Sequence, residues 1–165
     1  MVHIRKMKEE DRAAVYLLIS DFFASDAVAT TGSPEIFHRN ITEAVGSSPF
    51  LDGYVFAAWQ AATAGEQVET IVGYAMVSHT FNVEYGRHCL WIEDLYLTSL
   101  YRGAGLGPLF IDMLKEDWPD AMIRLEVEEE NTHALHVYEK AGFRKMPYEE
   151  FFYLNDFQPA STSLK

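Results

Sequence analysis

Hydrophobic positions along the chain change period several times. His3, Ile4 and Arg5 mark a short first strand, and after Asp11 the residues Val15, Leu18, Ile19 and Phe22 recur at helical spacing. Ser33 followed by Pro34 predicts a capped helix start; Ile36, Phe37, Ile41, Ala44 and Val45 supply its apolar face and Gly46 its stop. Two β-branched and aromatic runs, Tyr54 to Gln60 and Thr70 to Thr80, flank an Ala/Gly loop and read as an antiparallel hairpin. A third strand, His88 to Leu97, follows the Glu84-to-Arg87 turn. Then come a glycine-rich turn, a helix with Leu106, Leu109, Phe110 and Met113 on one face, and a strand at Met122 to Glu128. A helix from about Asn131 to Lys140 and a last strand near Phe151 to Leu154 complete the pattern. Hairpin strands followed by alternating helices and strands predict an α/β fold with a mixed sheet.

The 165 residues suit one core, and 48% hydrophobic content is enough to fill it. Residues 1–155 are expected to form a single domain, with 156–165 as a C-terminal tail. Charge narrows the ligands: 13 Lys and Arg stand against 25 Asp and Glu, a formal net charge of −12. Such a surface repels nucleic acid and favours cations, amines and basic peptides. Cys89 is the single cysteine, so an intrachain disulfide is impossible and a reducing, cytoplasmic setting is expected. No run approaches the ~18 apolar residues of a membrane span. The six histidines form no convincing metal set, so no metal is expected.

Between a strand and a helix lies Tyr101-Arg102-Gly103-Ala104-Gly105-Leu106-Gly107. Unpaired backbone N–H groups at a helix start can cradle phosphate oxygens, and glycines let a ligand approach the backbone. Taken alone the loop also fits a simple turn. It lacks the Gly-Lys-Ser/Thr ending of a Walker loop, and its spacing is not the dinucleotide Gly-x-Gly-x-x-Gly.

Two linked motifs resemble the GNAT superfamily of N-acetyltransferases. Arg102 to Gly107 is similar to the family's pyrophosphate loop, and Asn131-x-x-Ala134-x-x-x-Tyr138-x-x-x-Gly142-Phe143 resembles its second coenzyme motif. Within the superfamily, Ile92 to Leu97 followed by Tyr101-Arg102-Gly103, with Pro49-Phe50 and Gly73 to Met76, most resembles the diamine (spermidine/spermine) acetyltransferases. The resemblance implies a mixed, mostly antiparallel sheet of six to seven strands with helices on both faces, and a cleft where two parallel strands splay. It also implies acetyl-CoA as co-substrate, a small cationic amine as acceptor and a homodimer, with the Phe151 to Leu154 segment as a plausible interface element.

Residue by residue, the resemblance assigns Leu95, Tyr96 and Leu97 to the pantetheine arm. It assigns Arg102, Gly103, Ala104, Gly105, Leu106 and Gly107 to the pyrophosphate, and Asn131 to the pantetheine portion. Tyr138 matches a general acid, Glu93 and Asp94 match acids beside the acceptor amine, and Asp26 and Glu150 fall near positions that hold distal ammonium groups. Pro108 departs from the expected small or polar residue, but it lies in the first helical turn, where proline is tolerated.

The chemistry explains these residue types. An alkyl ammonium with a pKa near ~10.4 must lose a proton before it attacks a thioester, and a carboxylate can take it; Glu93 is the first candidate. A phenol can protonate the departing thiolate. Bland readings remain beside these: Tyr138 as core, Glu93 and Asp94 as edge-strand charges of which alternation sends only one to the cleft, and Glu126 to Glu130 as a solvated strand end. Acceptors other than a di- or polyamine also fit, namely thialysine, an aminoglycoside or a basic peptide, as does a catalytically silent CoA-binding regulatory module.

Overall fold

The computed structural model describes residues 1–25, 28, 32–62, 66–151 and 153. Its strands are β1 (Val2–Lys6), β2 (Leu51–Ala61), β3 (Gln67–Asn82), β4 (Arg87–Leu97) and β5 (Met122–Leu125). Its helices are α1 (Arg12–Ala24), α2 (Pro34–Val45), α3 (Leu106–Asp117) and α4 (Thr132–Lys140). The strands lie in chain order in one sheet. β1, β2, β3 and β4 pair antiparallel in succession, and β5 joins β4 in parallel.

Alternation along the central strands feeds two separate cores. Tyr54, Phe56 and Ala58 of β2, with Val72, Ala75 and Val77 of β3, face α3 through Leu106, Phe110, Ile111 and Leu114. Val55, Tyr74 and Met76 face the other way, against Val15, Leu18 and Ile19 of α1 and Phe37, Ile41 and Ala44 of α2. Helices therefore cover both faces, which is why the middle strands read as nearly continuous apolar runs. Ser33 caps α2 by accepting from Ile36 N–H, with Pro34 at its first position. Cys89 is buried in the sheet.

Four expectations need correction. The sheet has five strands among the described residues, not six to seven. Of the expected last strand, Phe151 and Tyr153 carry no strand pairing, while positions 152 and 154 lie outside the described residues. The strand expected to reach Glu128 stops at Leu125, where it parts from β4. On α3 the buried face is Leu106, Phe110, Ile111 and Leu114, whereas Leu109 is exposed; the stripe is rotated toward the i+4 and i+5 positions from Leu106.

Candidate active site

The site is organised by a fork. β4 and β5 run side by side through Cys89–Met122, Leu90–Ile123, Trp91–Arg124 and Ile92–Leu125, and pairing ends there. Beyond it β4 continues to Leu97 paired with β3, and among the described residues its backbone edge toward β5 is without a strand partner.

At the fork β4 contains one residue too many for its neighbour. Ile92 lies opposite Val77 and Asp94 opposite Met76, leaving Glu93 as a β-bulge. Its effect on direction is visible in the packing: Leu90 and Ile92 before the bulge, and Leu95 after it, all pack toward the α3 face. The simple alternation expected for Glu93 and Asp94 does not operate here.

Hydroxyls of β3 hold both acids. Ser78 Oγ donates to Glu93 Oε1 at 2.5 Å on the exposed side. Tyr74, wholly buried, donates its hydroxyl to Asp94 Oδ2 at 2.9 Å. Burial raises the Asp94 carboxyl to about 6; the Tyr74 hydrogen bond opposes the rise and the charge of Glu93 adds to it. A third acid comes from just past β5. Glu126 lies in hydrogen-bond contact with Glu150, and this contact, its partial burial and the field of Glu93 together lift its pKa well above the usual carboxylate range. Glu93, Asp94, Glu126 and Glu150 thus gather at the fork. Asp26 lies outside the described residues.

The glycine loop leaves the far end of β4. Arg102 Nε donates to the Leu97 carbonyl at 2.8 Å, and its guanidinium lies 5.3 Å from the centre of the Tyr96 ring. Gly103 and Gly105 have φ of 73° and 77°, in the left-handed region that glycine adopts without strain, and a Cβ at either would meet nothing within 4 Å. Gly105 is the N-cap of α3. The N–H groups of Gly103, Ala104 and Gly105 donate to no backbone carbonyl among the described residues, those of Leu106 and Gly107 fall in the first turn, and Pro108 has none. An open cradle of free donors at a helix start is chemically suited to the pyrophosphate of a coenzyme A thioester.

α4 follows β5 in the chain. Asn131 is its N-cap, with Oδ1 accepting from Ala134 N–H at 3.2 Å. That bond commits one face of an amide expected to meet the pantetheine portion. Tyr138 packs onto the α3-side core, edge-on to Phe143 with ring centres 5.9 Å apart. Burial pushes its pKa up, and its hydroxyl has no hydrogen-bond partner among the described residues. A protonated phenol free to donate is what leaving-group protonation requires.

Sequence reasoning did not single out Tyr74 or Ser78, whose hydroxyls meet the acids only through strand register. It read the Glu126-to-Glu130 run first as a solvated strand end and second as a run of which part attracts substrate, and the early end of β5 is where that run begins.

The fold and the fork are those of a coenzyme-dependent acyltransferase. Residues 32–143 match the Acetyltransferase (GNAT) family, and the chain belongs to it. It is an acetyl-CoA-dependent N-acetyltransferase. Similar relatives include the thialysine N-epsilon-acetyltransferase of Bos taurus, 27% identical over 95% of this chain and 92% of its own. A possible acetyltransferase from Clostridium difficile 630 has the same fold, with a TM-score of 0.72 at 15% identity over 94% of this chain and 98% of that one. So does the aminoglycoside N-acetyltransferase AAC(6')-Iy, solved with CoA, with a TM-score of 0.70 at 15% identity over 94% and 95% of the two chains. No helix among the described residues is long and apolar enough to cross a membrane, and no group of three His, Cys, Asp or Glu converges as a metal site among them.

Proposed function

We propose that the enzyme acetylates a primary amine of a small di- or polyamine such as spermidine or spermine. The observation carrying this reading is the gathering of Glu93, Asp94, Glu126 and Glu150 at one fork in a chain of net charge −12. Two carboxyls pressed together, as Glu126 and Glu150 are, gain most from a cation that neutralises them.

In this reading Arg102 to Gly107 hold the pyrophosphate and the free edge of Leu95 to Leu97 meets the pantetheine arm, with Asn131 beside it. The sequence assigns the amine's proton first to Glu93. We divide the work: exposed Glu93 meets the incoming ammonium, and Asp94, near pH 6 and ionised at neutrality, takes the proton that frees the nitrogen lone pair. As the C–N bond forms and the C–S bond breaks, Tyr138 donates to the sulfur, the second proton leaving the nitrogen restores the Tyr138 hydroxyl, and Asp94 passes the first to solvent. One proton is released to solvent per turnover. Glu126, Glu150 and Asp26 serve the distal ammonium. The domain spans residues 1–155, and we propose a cytoplasmic homodimer that binds neither nucleic acid nor membrane.

A thiol-release assay with acetyl-CoA and spermidine, spermine, putrescine, thialysine and a lysine peptide tests the acceptor. Preference for spermidine or spermine supports the proposal. Preference for thialysine, the acceptor in the bovine relative's name, replaces it with a lysine-like acceptor. No thiol release with any amine points to a silent coenzyme-binding module.

A further inference from the structure

Tyr74 is an unusual core residue. It has no exposed surface, it packs against Phe22 of α1 and Tyr96 of β4 with ring centres 6.4 and 6.2 Å away, and its hydroxyl reaches past them to Asp94 at 2.9 Å. A phenylalanine would fill the same apolar space, so core packing alone does not call for the hydroxyl. The neighbouring acid is held differently: Ser78 meets Glu93 on the exposed side, where water competes for the same oxygen.

We infer that Tyr74 is a positioning residue for the transfer reaction: its buried hydroxyl fixes the Asp94 carboxylate in the orientation and charge state in which that group takes the acceptor's proton. The inference rests on the reading of Asp94 as proton acceptor. Two further titratable groups face this Tyr74–Asp94 pair, Glu93 and Tyr96, both from β4; α1 contributes the apolar Phe22. Glu93 disfavours a second negative charge and Tyr74 alone favours it. Burial and the neighbouring acid keep the Tyr74 phenol protonated far above the working range, so it remains a donor throughout. The hydrogen bond also occupies Oδ2 and leaves Oδ1 for the acceptor's N–H. A base needs that separation of duties, with one oxygen anchored and the other reactive.

The sign follows from the charge. A donor that stabilises the carboxylate lowers the pH at which Asp94 becomes competent, and removing it raises that pH. A hydrogen bond to a charged group corresponds to roughly one to two pH units.

The test compares pH profiles of kcat and kcat/KM for the full-length wild type, Tyr74→Phe and Asp94→Asn, with spermidine and with thialysine. In folded Tyr74→Phe the acidic limb should move up by about one unit, with rates roughly fivefold lower at pH 6 and recovering toward wild type above pH 8. An unmoved limb, or a loss equal at every pH, overturns the inference. Asp94→Asn keeps the two claims apart. If it abolishes the limb while Tyr74→Phe leaves the limb in place, Asp94 is the acceptor and only the role of Tyr74 falls. If Asp94→Asn has the wild-type profile, the assignment of Asp94 falls first. Should Tyr74→Phe not fold, NMR of the wild type decides: a slowly exchanging Tyr74 hydroxyl proton that shifts as Asp94 titrates supports the inference, and one exchanging at the solvent rate overturns it.

Discussion

Arg102 donates through Nε to the carbonyl of Leu97, tying the first residue of the glycine loop to the last residue of β4. Its guanidinium also rests over Tyr96. The arginine is thus partly a brace, and a lysine cannot reproduce its planar reach. Arg102→Ala should weaken acetyl-CoA binding up to about tenfold by calorimetry, and Arg102→Lys nearly as much. Full recovery by lysine would mean that charge alone matters.

Gly105 combines a left-handed backbone with open space around its missing side chain. Gly105→Val should lower stability by roughly 1–2 kcal/mol through strain. Gly105→Asn tolerates that backbone better and still puts a Cβ beside the loop donors. If the loop cradles pyrophosphate, both variants lose acetyl-CoA affinity while the asparagine protein melts close to wild type. Unchanged affinity in both would remove the loop from the site.

Tyr138→Phe keeps the ring against Phe143 and deletes only the hydroxyl. Turnover should fall by roughly 10²- to 10⁴-fold, with acetyl-CoA affinity nearly unchanged. Stopped-flow turnover together with calorimetry checks both halves, and wild-type turnover would leave the tyrosine with packing alone.

Glu126 and Glu150 make opposite contributions to folding and to binding. An acid whose pKa is raised in the folded protein adds stability below its unfolded value and loses that contribution as pH rises through the folded one. Here the raised acid is Glu126, lifted first by its contact with Glu150. Glu150→Gln should therefore raise the melting temperature at pH 8 and leave it unchanged at pH 4. The same variant should raise the spermidine KM roughly two- to fivefold, with kcat unaltered. Added salt should weaken spermidine binding in the wild type more than in the variant. A melting difference independent of pH would show that the two carboxyls do not share their charge.

Legibility followed locality. The α2 start was readable because Ser33, Pro34 and the Ile36 N–H lie within one turn, and the loop donors because glycine spacing is a local property. What escaped depends on register. Whether Ser78 or another β3 residue faces Glu93 is decided by a one-residue shift in pairing, and strand composition does not encode that shift. Glu126 lay within a legible acidic run, but its meeting with Glu150 spans a stretch containing all of α4. The exposed Leu109 has a similar origin: a stripe at helical spacing fixes a face only to within a residue's rotation, and contact with β2 and β4 chose Phe110 and Ile111.

The β4 bulge leads to a last consequence. Were Glu93 deleted, Ile92 and Asp94 would become neighbours opposite Val77 and Met76, and the β3–β4 ladder would close without a flaw. Every flanking side chain would keep the face it now has. The β3–β4 ladder therefore carries one supernumerary residue, and a shorter β4 would make the straighter strand. Bulges bend and twist the strand that bears them, and this one falls where β4 and β5 separate. An unbulged β4 would be free to continue alongside residues 126–128 and zip the fork shut. By this argument the opening depends on residue count more than residue type: substitutions at position 93 alter chemistry, whereas loss of the position removes the place where chemistry could occur.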